Sequence, residues 1–77
     1  MDAIDIQILL GIHKHISMRR IGSIIGHRHS TVQAHIKLLE ERGYVRNPRK
    51  PDEIRYAVAR ELTNEGMDIL RKEHLIK

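Results

Sequence analysis

Residues 18–45 constrain this chain more than any other stretch. They read as a short helix, a tight turn and a longer helix closed by glycine. In the short helix Ile21 and Ile25 stand four residues apart and so share one face. Ser17 is placed to accept a hydrogen bond from an orphan amide at its start. Gly22 lowers helix stability by roughly 1 kcal/mol relative to alanine, a loss that a close helix crossing at that point would justify. Gly26 suits the left-handed conformation that often ends a helix. In the longer helix Val32, Ile36 and Leu39 have the i, i+4, i+7 spacing of one buried stripe. The opposite face carries Ser30, Gln33, Ala34 and Lys37, a polar, compact and basic set with nothing bulky on it. Gly43 is the natural C-terminal glycine behind Glu40, Glu41 and Arg42.

Gly22, Gly26 and Val32 stand where a helix-turn-helix places its small residue, its turn glycine and its core aliphatic. The run STVQAHIKLLEERGYV, residues 30–45, resembles the recognition helix and following strand of winged helix-turn-helix regulators. RNPRKPDEIRYAV, residues 46–58, is similar to the wing of the SOS-response repressor's DNA-binding domain. ARELTNEGMDIL, residues 59–70, looks like the end of the wing and the next helix in MarR-like and PadR-like regulators. The resemblance covers nearly the whole chain and is more specific to a superfamily than to any member. It implies a mostly helical α+β fold, a winged helix-turn-helix with a three-helix core, a two-stranded wing and a C-terminal helix. The helix-turn-helix would span 18–43, the wing 44–61 and the last helix 63–75, all in one domain covering 1–77.

Seventy-seven residues allow one domain with a small core. Cysteine is absent, so neither a disulfide nor a thiolate metal site can reinforce it. Phenylalanine and tryptophan are also absent, and Tyr44 and Tyr56 are the only aromatics, so the core must be aliphatic. A second chain burying more surface would help so small a fold. No apolar run is long enough to span a bilayer, and acidic Asp2 and Asp5 argue against a secretory signal. A soluble cytoplasmic protein is expected.

The net charge of +4 is unevenly placed. Residues 18–50 hold Arg19, Arg20, Arg28, Lys37, Arg42, Arg46, Arg49 and Lys50 against Glu40 and Glu41, a net +6, while the segments on either side are each net −1. Positive charge thus coincides with the helix-turn-helix and wing, the footprint of a polyanionic partner. An ordinary solvated basic surface is the plainer alternative, but it does not account for the coincidence.

Helix 1 is expected from the N-terminus to about residue 15, with Asp2 as its cap and Asp5 favourable in its first turn. Ile4, Ile8 and Ile12 form one apolar line on it, and Ile6 and Leu10 form a second. Ile16 either begins a very short strand or ends the helix. Residues 44–46 read as a strand and 47–52 as a loop whose two prolines oppose helix and interior strand. Residues 54–60 alternate with period two, the pattern of a half-buried strand. Thr63 then caps the last helix, which has Glu65 in its first turn, Met67 and Leu70 on one side and Ile69 and Ile76 on another.

These patterns yield two sets of candidate residues. A recognition helix over 29–42 would enter the major groove of double-stranded DNA, where Gln33 pairs with adenine and Arg28 or Lys37 with guanine. Ser30 and Thr31 would reach phosphate or bases, Ala34 a thymine methyl, and His29 would lie near phosphate. Arg19 and Arg20 would clamp phosphates, and Arg46, Arg49, Lys50 and Arg55 would lay the wing on the backbone or in the minor groove. The second set is a homodimer interface of Ile4, Ile6, Leu10, Met67, Ile69, Leu70 and Ile76.

Six histidines raise a metal reading, yet His13 and His15, like His27 and His29, are two apart and would diverge on a helix. No metal, cofactor or enzyme signature is expected. The chain reads as a sequence-specific regulator of transcription, and as a repressor because nothing is left over to recruit polymerase. The rivals are a winged-helix protein-interaction module and a nonspecific architectural DNA binder. Neutral or acidic residues on helix 3 would favour the interaction module; Arg28, Gln33 and Lys37 do not.

Overall fold

The computed structural model describes residues 1–47 and 60–77. Among them the elements run α1 (Ala3–His13), α2 (Met18–Ile25), α3 (His29–Glu41), β1 (Val45–Arg46), β2 (Glu61–Leu62) and α4 (Asn64–Lys72). β1 and β2 pair antiparallel, with Val45 opposite Leu62 and Arg46 opposite Glu61. This is the mostly helical α+β arrangement of a winged helix-turn-helix: three helices, a two-stranded wing and a C-terminal helix.

The core collects one stripe from each helix. Ile8, Leu9 and Ile12 of α1, Ile21 of α2, Val32, Ile36 and Leu39 of α3, Val45 of β1 and Leu70 of α4 are all buried. The stripe expected on α3 is thus the one that packs inward. On α1 the Ile8–Ile12 line is buried and Ile4 is half-buried, while Leu9, on neither expected line, is fully buried. Leu70, expected at an interface between copies, is instead fully buried in the chain's own core. It faces inward because α4 packs its Gly66–Leu70 side against α1, β2 and the Tyr44 carbonyl.

Each of the four helices stops by the same backbone device. The chain turns left-handed just past the helix, and the next amide reaches back five residues to an orphan carbonyl. Ile16 N–H donates to Gly11 O, His27 to Gly22 O, Tyr44 to Leu39 O and Leu75 to Leu70 O, all at 2.9–3.0 Å. Gly26 (φ 75°) and Gly43 (φ 82°) hold the left-handed position after α2 and α3, as expected. After α1 and α4 the same position falls to His15 (φ 60°) and His74 (φ 59°). That explains why α1 ends at His13 rather than near residue 15, and why Ile16 begins no strand.

A side chain in the left-handed region costs about 1–2 kcal/mol that glycine avoids, partly offset by glycine's greater freedom when unfolded. Both histidines are exposed. His15→Gly and His74→Gly should therefore each stabilise the fold by about 0.5–1 kcal/mol, raising Tm by several degrees. Thermal unfolding of the two variants checks this, and a lower Tm in either would refute it.

The starts of the helices follow expectation less evenly. Ser17 Oγ accepts from Arg20 N–H at 3.2 Å, and Thr63 Oγ1 accepts from Gly66 N–H at 3.2 Å. Asp2 occupies the cap position of α1, but its side chain makes no capping bond. Residues 54–59 of the second expected strand lie outside the described residues, and the pairing observed involves Glu61 and Leu62. The last helix ends at Lys72, not near residue 75, because His74 turns the chain. Among the described residues no helix is long and apolar enough to cross a membrane.

Candidate nucleic-acid interface

The candidate interface is built on the turn between α2 and α3. Gly22 lets the chain double back closely: a Cβ there would sit 2.9 Å from the His27 carbonyl oxygen and 3.2 Å from Val32 Cγ2. Val32 therefore packs directly beneath α2, and burial of Val32, Ile36 and Leu39 rotates the other side of α3 to solvent. Ser30, Gln33, Ala34 and Lys37 are all exposed there, and Thr31 is half-buried at the edge. Arg28 and His29 are exposed at the start of the helix.

Two features of this surface run against helix stability. Arg28 occupies the α3 cap position without a capping side-chain bond, and the first turn holds no acid. The first turn of α2 also lacks an acid and carries the exposed Arg19 and Arg20. Cations at a helix N-terminus oppose the macrodipole, so both turns forgo stability available from an acidic residue. Both would gain it back from a bound anion.

Gln33 and Lys37 also border a cleft of about 250 Å³ that Met18, Ile36, Glu40 and Arg60 complete. The fold thus brings the start of α2, the polar side of α3 and the base of the wing around one depression. Arg60 forms an ion pair with Glu40 on α3 and ties the returning chain to that helix. Arg46, expected to touch DNA, instead meets Glu61 directly across the strand pair, with Nη2 at 2.7 Å and Nε at 2.8 Å from Oε2. Its charge is internally balanced, although the pair remains exposed. Arg49, Lys50 and Arg55 lie outside the described residues.

One polar contact behind the interface did not emerge from reading the sequence. His35 Nδ1 lies 2.8 Å from Asp5 Oδ1, and Asp5 is buried. The pair joins the first turn of α1 to the middle of α3. The available signal was the i, i+3, i+7 spacing of Asp5, Ile8 and Ile12, which puts a carboxylate on the core face of α1. A buried carboxylate requires a partner. Among the described residues no cluster of three or more potential ligands could hold a metal ion.

Residues 3–53, which include α1, α2, α3 and β1, match the family model described as MarR family. No curated protein and no solved structure gives a significant match.

Proposed function

Because this chain belongs to the MarR family of winged-helix DNA-binding domains, we propose that it represses transcription by occupying specific double-stranded sites in the cytoplasm. In this reading α3 lies in the major groove, with Arg28, Ser30, Gln33, Ala34 and Lys37 toward the bases. Arg19, Arg20, His29 and Thr31 hold phosphates, and the wing, including Arg49, Lys50 and Arg55, follows the backbone or minor groove. Arg46 contributes there only by exchanging Glu61 for phosphate. Two copies joined through α1 and α4 read a pseudo-palindrome.

The observation that carries the reading is the solvent face of α3. A helix fixed to the core by Val32, Ile36 and Leu39 presents an amide, a lysine and small side chains to solvent, with the exposed Leu38 beside them. Those groups are suited to base edges. Selecting bound duplexes from a random pool should enrich one sequence. Gln33→Ala should then weaken that site by about five- to 150-fold, corresponding to roughly 1–3 kcal/mol, and relax the preference at one base pair. Equal weakening on random duplex would remove Gln33 from base readout. Failure to enrich any sequence would favour a nonspecific binder or a protein-docking module.

A further inference from the structure

The solvent face of α3 is not uniformly polar. Leu38 is 48% exposed, one of four exposed large hydrophobics among the described residues. Ala34 is exposed one turn before it, and Thr31 is half-buried at the next step, so the three recur at i, i+3, i+7. That is the spacing of an apolar stripe, and it lies opposite the stripe that α3 buries. Lys37 is exposed beside it.

Helical side chains lean toward the N-terminus, so the Leu38 isobutyl group lies over the turn containing Ala34. Together they form an apolar ridge roughly 6 Å long, about two base steps. The one apolar group a duplex presents in its major groove is the thymine C5-methyl. Resting on the duplex-binding reading above, we infer that Leu38, with Ala34 beside it, selects thymine by packing against that methyl group. Leu38 is then a specificity-determining residue without a hydrogen bond to offer. It complements Gln33, Arg28 and Lys37, whose contacts are polar.

Deoxyuridine pairs as thymidine does but lacks the methyl, so it isolates this contact. In the enriched duplex each thymine is replaced singly by deoxyuridine, and binding is measured with the native chain, Leu38→Ala and Leu38→Met. At one or two positions the native chain should lose roughly fourfold in affinity, the factor for burying about one methyl-sized group. Leu38→Ala should erase that difference at one position with its helical circular dichroism unchanged, and Leu38→Met should keep it. A native chain indifferent to deoxyuridine at every position overturns the inference while leaving duplex recognition standing. So does a set of differences that Leu38→Ala leaves intact at every position. If no duplex is enriched, the binding reading fails and this one falls with it.

Discussion

Gly66→Ala should destabilise the fold by about 2–3 kcal/mol, although alanine is the better helix former by roughly 1 kcal/mol. Gly66 is the third residue of α4 and is buried against the Tyr44 carbonyl, just before β1, and Leu62 of β2. A Cβ there would overlap the Tyr44 carbonyl oxygen and lie 3.2 Å from its carbon. The carbonyl has little room to yield. It accepts from Thr63 N–H at 3.1 Å, and Tyr44 N–H is held by Leu39 O at 3.0 Å. Thr63 Oγ1 donates to Gly43 O at 2.6 Å and accepts from Gly66 N–H, binding the start of α4 to the end of α3. An added methyl must therefore push α4 off the wing, loosening Leu70 in the core. For a chain of 77 residues that loss is a large fraction of a total near 4–11 kcal/mol. Urea unfolding measures it directly, and Gly66→Ala at or above native stability would refute the close approach of α4 to the Tyr44 carbonyl. Gly26→Ala is the contrast, since no atom lies within 4 Å of its added Cβ and only the positive φ opposes it.

Gly66 also marks the limit of what the sequence made legible. The helix-turn-helix could be read because its signals are local: a serine cap, glycines at two turns and three aliphatics at helical spacing. Each has a consequence within a few residues, and Ser17, Gly22, Gly26, Val32, Ile36, Leu39 and Gly43 all behave as their spacing implies. Gly66 carries no local signal of its role, because its neighbour is 22 positions away, at Tyr44. Asp5 looked like a favourable first-turn acid because its partner is 30 residues away. His15 and His74 carry no turn signature, so α1 and α4 end earlier than the sequence pattern predicts. Leu70 shares its side of α4 with Gly66, and only the close approach at Gly66 explains why that side faces inward. The polar side of α3 was legible for the reverse reason, since one buried stripe determines the opposite face.

Ile6→Glu and Ile69→Glu should each convert a dimer into a monomer and reduce affinity for a two-half-site duplex by about a hundredfold or more. The proposed assembly rests on α1, which carries apolar residues on every side: Ile8, Leu9 and Ile12 fill the core while Ile4, Ile6 and Leu10 remain only partly covered. Met67 and Ile69 of α4, and Ile76 beyond it, are likewise half-buried. A second copy would cover these aliphatics, and its two-fold axis would set two α3 helices about one DNA turn, roughly 34 Å, apart. Binding the second half-site then becomes intramolecular, which raises affinity by about 10²–10⁴ without any new contact. A carboxylate at residue 6 or 69 would have to be desolvated in the interface, yet in a single chain both positions are open enough for it to reach water. The fold should therefore survive as a monomer. Sedimentation of the native chain at high micromolar concentration tests the assembly, and a duplex with one half-site tests its link to recognition. The variants should match the native chain on the single half-site and fall behind only on the pair. A native chain that sediments as a monomer, or variants that stay dimeric and folded, would remove the interface from α1 and α4.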